Sequence, residues 1–131
     1  MQKVVDSYGL VFSFFAAILI LLSTTTVGVA ADADKDAGKE IYQQRCSPCH
    51  GPDGKANTPT AQALNPKPAD HTNGSYMNQL SNDHIRKVIK EGGASVGKSP
   101  IMPPQADLSD EQIDNLVAFV RSLASPPYEG Q

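Results

Sequence analysis

Two cysteines and a histidine stand together in the sequence RCSPCHG, and their types and spacing suit them for chemistry. Cys46 and Cys49 are the only cysteines of the 131 residues, and His50 follows the second directly. Thiols at this spacing can form a disulfide, act as a redox pair, bind a metal ion or attach a prosthetic group. The rest of the sequence discriminates among these four uses.

Three of the four uses fit the sequence poorly. A disulfide here would close a very small ring, and disulfide stabilisation grows with loop length. A thioredoxin-like redox pair needs a βαβ setting, and the sequence shows no parallel strands. A structural zinc site needs four ligands, but His71 and His84 stand apart from the motif and there is no second cysteine pair.

The fourth use, covalent attachment of a haem, fits both the residue types and the spacing. Cys-x-x-Cys-His is the attachment signature of a c-type haem. On one helical turn Cys46, Cys49 and His50 share a face, so two thiols can reach two vinyl groups while the imidazole reaches the iron. We therefore expect one haem c, attached through Cys46 and Cys49, with His50 as an iron ligand.

The N-terminal sequence predicts export. Residues 1–31 carry Lys3 near the start, an apolar run over residues 9–22 and small residues before Asp32. This order is typical of a secretory signal peptide, which we place at residues 1–31; Asp34 is an alternative first residue of the mature chain, because Ala31 and Ala33 also offer small residues for cleavage. An uncleaved membrane anchor is the alternative, although the apolar run alone is shorter than the ~20 residues of a spanning helix. Because c-type haem is attached outside the cytoplasm, we expect a periplasmic location.

Residues 32–131 are enough for one small domain. The chain has ten prolines, ten glycines and no tryptophan, so a domain of this size needs a staple such as a buried cofactor. Its formal net charge of −3 is spread without a block of one sign. This pattern argues against binding to nucleic acid or to an anionic membrane surface.

The clearest helices are predicted in the C-terminal half. One begins at the N-cap Ser81, carries an apolar stripe and stops at Gly92. Another begins at Ser109, which can form a capping box with Gln112, and continues with apolar residues at helical spacing until Pro126.

The N-terminal half of the predicted domain has one helix and a long connection. The helix runs from Asp36, its expected N-cap, into Cys46. Residues 51–80 show turn chemistry without a period of 2 or 3.6 residues, and so long a loop needs something buried to organise it. No segment alternates convincingly as a strand. We expect an all-α domain of about three to four helices around a covalently bound haem.

The sequence of residues 32–131 closely resembles the class I c-type cytochromes over its whole length. The family's first helix is similar to GKEIYQQRCSPCHG, in which Gly38 and Tyr42 lead into the haem motif. The family's last helix, which crosses the first, is similar to LSDEQIDNLVAFVRSL. The resemblance implies that Gly38 and Tyr42 pack against three residues of the last helix: Leu116, Phe119 and Val120.

The resemblance also implies the rest of the haem site. The family's distal loop, whose methionine is the sixth iron ligand, resembles SPIMPPQ, so Met102 is the expected ligand opposite His50. The loop over the proximal side resembles LNPKPADHT. In the family a proline carbonyl of this loop accepts a hydrogen bond from the ligating imidazole, and Pro66 is the expected acceptor, with Pro68 close behind.

Three further residues are expected to play other parts. Met77 has no prolines beside it and is expected to contact the haem edge or the core. His71 and His84 are expected to be ordinary solvent-exposed residues, since His84 falls in the polar first turn of its helix.

The expected ligand pair implies electron transfer. With His50 and Met102 both bound, low-spin iron has no open position for oxygen or peroxide chemistry, and one-electron exchange remains. We expect a soluble periplasmic electron carrier, not an enzyme, that docks transiently with larger redox donors and acceptors. Two alternatives stay open: a haem c subunit of a membrane or periplasmic oxidoreductase complex, and a five-coordinate haem protein that binds gas or peroxide.

Overall fold

The computed structural model describes residues 32–130. Asp32–Gln131 form one compact unit. The predicted signal peptide, residues 1–31, lies outside the described residues. Within the described range the chain has six α-helices, one 3-10 helix and no β-strand, so the prediction of an all-α domain is confirmed.

Three of the helices are long, and they are the three that the sequence predicted. The other four elements have four or five residues each. In chain order the elements are α1 (Lys35–Arg45), α2 (Ser47–His50), α3 (Pro59–Ala63), α4 (Gly74–Met77), α5 (Asn82–Glu91), the 3-10 helix (Gly93–Val96) and α6 (Asp110–Ser122).

Two short helices lie in residues 51–80, where the sequence predicted only a loop. Thr58 begins α3, because its hydroxyl accepts the Ala61 N–H at 3.0 Å. Asn73 begins α4 in the same way, with its side-chain oxygen 3.2 Å from the Tyr76 nitrogen. Helices of four or five residues are too short to leave a helical period in the sequence, so only their turn-forming caps were visible.

Side-chain caps begin the long helices. Asp34, rather than the predicted Asp36, caps α1: its carboxylate accepts the Asp36 N–H at 2.9 Å. Asp36 then lies in the first turn, where the helix dipole favours a negative charge. The predicted caps Ser81 and Ser109 are confirmed, and Ser109 forms the full capping box with Gln112.

Helices α1 and α6 cross at the centre of the domain. A Cβ atom built on Gly38 would stand 1.9 Å from the carbonyl oxygen of Asn115, so only glycine lets the two backbones approach this closely. One turn further along α1, Tyr42 is fully buried, and its ring centroid lies 5.0 Å from that of Phe119. The predicted crossing of the first and last helices is confirmed.

Arg121 of α6 fastens the segment between α4 and α5. Its guanidinium donates hydrogen bonds to the carbonyl oxygens of Met77, at 2.6 Å, and of Leu80. A third bond, at 2.8 Å, reaches the side-chain oxygen of Asn82, and the Tyr128 ring centroid lies 3.8 Å from the guanidinium carbon. This nearly buried charge therefore holds the start of α5 against α6.

Buried apolar side chains from α1, α4, α5, α6 and the segments beside them form one core. Its members are Tyr42, Met77, Ile85, Ile89, Leu108, Ile113, Leu116, Val117, Phe119, Val120 and Ala124. None of the helices in residues 32–130 has the length and apolarity needed to cross a membrane.

Candidate haem-binding site

A single cavity brings the predicted attachment residues and iron ligands together. Its volume is about 440 Å³, within the range of small-molecule and cofactor sites. Cys46, Cys49, His50 and Met102 all line it, beside apolar side chains from α4, α5 and α6. An apolar cavity with a few well-placed polar or sulfur groups suits a large apolar cofactor. The residues present therefore fit a haem.

The attachment residues lie on one helical turn, as their spacing predicted. The N–H groups of Cys49 and His50 both donate to the Cys46 carbonyl oxygen, at 3.2 and 2.9 Å. No disulfide joins the two cysteines, so both sulfur atoms are available for attachment of a haem. Burial raises the pKa of the Cys46 thiol to about 11. The two cysteines, three residues apart on one turn, therefore line the same cavity.

The His50 imidazole is oriented through its Nδ1 atom. Nδ1 lies 3.0 Å from the Ala69 carbonyl oxygen, so Nδ1–H donates and Nε2 is the nitrogen left for iron. Burial lowers the pKa of His50, although the hydrogen bond to Ala69 opposes this shift. The ring is therefore held neutral, which is the form that binds a metal.

The acceptor beside His50 differs from the predicted one. The carbonyl belongs to Ala69 and not to Pro66, which instead lines the cavity. The His71 N–H donates to the Gly54 carbonyl oxygen at 2.8 Å, and this bond fixes the end of the proximal loop. The loop register places Ala69 beside the imidazole, and such backbone bonds leave no mark in the sequence.

The backbone of Met102 is fastened to the end of α5. The Gly93 N–H donates to the Met102 carbonyl oxygen at 3.1 Å, and a Cβ on Gly92 would lie 2.9 Å from the same oxygen. On the far side of the loop, the Gln105 N–H donates to the Ile89 carbonyl oxygen at 2.9 Å. The two glycines, which the sequence marked only as a helix stop, are thus also needed for the close approach of the methionine loop.

An exposed ion pair links α1 to the segment after this loop. Arg45 makes two contacts with the Asp107 carboxylate, at 2.7 and 2.9 Å, and its hydrogen bond lowers the pKa of Asp107. The same guanidinium donates to the side-chain oxygen of Gln105 at 3.2 Å. Arg45 lines the cavity, so this contact joins the two sides of the site at the surface.

Both histidines predicted to be solvent-exposed are half-buried and line the cavity. The ring of His71 stacks on that of His50, with centroids 4.3 Å apart and planes inclined by 17°. Its Nδ1 lies 3.3 Å from the Tyr42 hydroxyl oxygen. Burial, and next the charge of His50, lower the pKa of His71 to about 3. His71 lies in the stretch LNPKPADHT, but one histidine in a turn-rich segment has no periodicity that would show what its side chain contacts.

Met77 is 3% exposed and belongs to the core. It also lines the cavity, so the prediction that it contacts the haem edge or the core is confirmed for the core. Two methionines therefore line the cavity: Met77 in the core, and Met102 in the loop whose backbone is hydrogen-bonded at the end of α5.

Comparisons of the sequence with known proteins agree with this site. The family model described as cytochrome c oxidase, cbb3-type, subunit III matches residues 33–120. Over 111 residues the chain is 29% identical to cytochrome c6 of Gracilaria tenuistipitata var. liui, which covers 85% of this chain and 91% of that protein. Over 95 residues it is 33% identical to cytochrome c-554(547) of Halothiobacillus neapolitanus, which covers 69% of this chain and 97% of that protein.

A solved structure has the same fold. The match is to a chain of the reducing HAO-like protein complex of Kuenenia stuttgartiensis, with a TM-score of 0.61 and 24% identity. It covers 72% of this chain and 44% of that one, and at this identity it shows the fold alone. The family match and the curated relatives go further: this chain belongs to the family described as cytochrome c oxidase, cbb3-type, subunit III, and is a class I c-type cytochrome with a covalently bound haem c.

Proposed function

We propose that this protein is a periplasmic one-electron carrier that shuttles between larger redox complexes, and that His50 and Met102 would hold the haem iron. The observation that carries the proposal is that both residues line the cavity that also contains the two attachment cysteines. An iron bound by imidazole on one face and thioether on the other has no open position, so outer-sphere electron exchange is the chemistry left to it.

The residues around the ligands support exchange with little movement. Ala69 fixes the tautomer of His50, and Gly93 fixes the backbone of Met102. The haem, when bound, supplies a one-electron iron couple, and a thioether ligand raises its reduction potential relative to a second imidazole.

Optical spectroscopy of the purified holoprotein tests the ligand pair. Ferric iron bound to methionine sulfur has a weak absorption band near the red end of the visible spectrum, and we expect that band here. We also expect the reduced protein to bind carbon monoxide poorly, because both axial positions are taken. Absence of the red band together with ready binding of carbon monoxide would favour the five-coordinate haem protein instead.

We propose the rim of the cavity as the docking surface for redox partners. Two large hydrophobic side chains of residues 32–130 are exposed, Tyr76 at 36% and Ile101 at 54%, and both line this cavity. A small apolar contact suits a transient redox encounter. Ile101→Ser should therefore slow electron self-exchange, measured by NMR line broadening in half-reduced protein, while Glu111→Ser on α6 should not. Equal rates in the two variants would contradict docking at this rim.

A subunit of a larger assembly is the second candidate, because the matching family is described as subunit III of a cbb3-type oxidase. Purification from the native host distinguishes the two functions. A free carrier elutes at the size of a single small domain, whereas a subunit co-purifies with larger proteins in fixed stoichiometry.

We also propose that residues 1–31 are a cleaved signal peptide. Asp34 caps α1, and its N–H donates to the Asn115 side-chain oxygen at 2.7 Å, so cleavage after Ala31 would leave this cap intact. Mass spectrometry of the protein from its host should give Asp32 as the first residue. Recovery of the full-length chain in the membrane fraction would instead support an uncleaved anchor.

A further inference from the structure

His71 is held against the face of His50 by its own backbone. Its N–H donates to the Gly54 carbonyl oxygen at 2.8 Å, and a Cβ built on Gly54 would stand 3.3 Å from the His71 Cβ. The His71 ring therefore has little room to withdraw toward Gly54. It lies nearly parallel to the His50 ring, with the two centroids 4.3 Å apart.

Tyr42 fixes the orientation of the His71 ring. The Tyr42 hydroxyl oxygen lies 3.3 Å from His71 Nδ1, within hydrogen-bond distance, and the two rings meet edge to face with centroids 5.8 Å apart. Tyr42 is fully buried at the helix crossing, and burial raises the pKa of its hydroxyl, which therefore keeps its proton. A buried phenol needs a hydrogen-bond partner, and His71 supplies one.

The stacked ring supplies a constraint that His50 otherwise lacks. The bond from His50 Nδ1 to the Ala69 carbonyl oxygen fixes which nitrogen faces the iron. The imidazole ring turns about its Cβ–Cγ bond, and the hydrogen bond to Ala69 opposes this turn at one edge of the ring. A second ring in contact with its face adds a further constraint, because turning would push the two rings together.

We propose that His71, supported by Tyr42, is a positioning residue that fixes the plane of the His50 imidazole on the iron. Groups outside the ligand set that orient a ligating histidine tune the electronic state of the metal. The inference rests on the proposed function, because it requires His50 to bind iron. It assigns a role to a residue that makes no bond to the iron itself.

Three variants of the holoprotein test the role of the ring. In ferric His71→Leu, the g values in electron paramagnetic resonance and the NMR shifts of the haem methyl groups should move away from those of the wild type. His71→Phe keeps a flat ring against His50 and should return both towards the wild-type values. Phe119→Leu is the matched control: it removes a ring packed on Tyr42, so it should lower the melting temperature and leave the g values unchanged.

Wild-type g values in His71→Leu, with only a lower melting temperature, would make His71 a packing residue and overturn the proposal. If His71→Leu does not fold, His71→Gln decides, since its amide can still accept a hydrogen bond from Tyr42 but provides no stacked ring. Altered g values in that variant support the proposal, and unaltered values overturn it. The red absorption band of the wild type reports separately on the ligand pair, so failure of the proposed function is distinguishable.

Discussion

Two side chains near the cavity donate hydrogen bonds to backbone carbonyl groups. His50 donates to the carbonyl of Ala69, and Arg121 donates to those of Met77 and Leu80. The bond from His50 reaches a segment without regular structure, and the bonds from Arg121 reach the end of α4 and the connection from α4 to α5. Helices α2 and α6 therefore hold in place three residues that line the cavity, Ala69, Met77 and Leu80.

Replacement of Arg121 should show how much its hydrogen bonds contribute to the stability of the domain. Arg121→Met keeps the aliphatic length of the side chain but leaves the carbonyl oxygens of Met77 and Leu80 and the Asn82 side chain without this donor. The Met77 carbonyl oxygen still accepts the Leu80 N–H, so two groups lose this donor outright. Buried groups left unpaired cost about 1–3 kcal/mol each, so we expect a loss of about 2–6 kcal/mol in the free energy of unfolding, measured by chemical denaturation. Lys87→Met, at an exposed position of α5, is the control. Equal stability of the two variants would contradict the role given to Arg121.

At the scale of elements, two close backbone approaches determine the geometry. One is the crossing of α1 and α6 at Gly38, and the other is the contact of the methionine loop with Gly92 and Gly93. The first orients the haem motif that follows α1, and the second holds the loop that carries Met102 at the same cavity. Both backbone approaches require a residue without a side chain. Substitution of the glycine by alanine, which adds one methyl group, therefore tests each approach.

A methyl group at the helix crossing should destabilise the whole domain. In Gly38→Ala the new Cβ would lie 1.9 Å from the Asn115 carbonyl oxygen, and backbone cannot yield as a flexible side chain can. Overpacking of this kind costs about 1–3 kcal/mol, measurable as a lower free energy of unfolding. Lys39→Ala, exposed on the same helix, should change stability little. A Gly38→Ala variant as stable as Lys39→Ala would mean that the helices do not cross here.

A methyl group at Gly93 should act on the iron ligand. Its Cβ would stand 2.3 Å from the Ser99 carbonyl oxygen and 3.3 Å from the Met102 Cβ, so the loop must shift. We expect Gly93→Ala to lose the red absorption band on heating at a lower temperature than the wild type. Gly97→Asn is the matched control, because a Cβ there meets nothing within 4 Å and asparagine tolerates a positive φ. Identical thermal loss of the band in the two variants would contradict the role of Gly93.

The sequence alone predicts the features that depend directly on the type of a side chain. Thiols at fixed spacing identify Cys46 and Cys49, and a serine followed by a capping glutamine identifies the start of α6. It does not predict which backbone atom makes a contact, because every residue carries the same backbone atoms. The hydrogen-bond acceptor of the His50 imidazole, for example, is the carbonyl of Ala69 and not that of Pro66. Nor does the sequence predict the role of His71, which depends on a stacking partner distant along the chain.

At the scale of the whole molecule, the haem is part of the core. The cavity of about 440 Å³ lies among the buried side chains that join α4, α5 and α6. At ~24 cal/mol per Å³, a dry cavity of that size would cost ~10 kcal/mol, an upper limit because this cavity opens to solvent. Small domains have a total stability of about 5–15 kcal/mol, so the cofactor carries a large share of it.

Loss of haem attachment should therefore unfold the domain. We expect the double variant Cys46→Ala, Cys49→Ala to give a poorly helical chain that is degraded in the host, since its apolar cavity walls have nothing to pack on. Far-ultraviolet circular dichroism of the purified variant measures this directly. A stable apoprotein with the full helical signal would contradict the view that the haem completes the core.

The most direct test of the electron-carrier proposal is the ferric spectrum and reduction potential of Met102→Ala beside Met77→Ala. Both methionines line the cavity, but the proposed ligand is Met102 alone. Met102→Ala should lose the red band, shift the iron towards high spin and bind carbon monoxide readily when reduced, while Met77→Ala should keep the band. Met102→His should stay low-spin with a lower potential, because a thioether raises the potential relative to imidazole. An intact band and potential in Met102→Ala, with their loss in Met77→Ala, would contradict the proposed ligand pair and the function built on it.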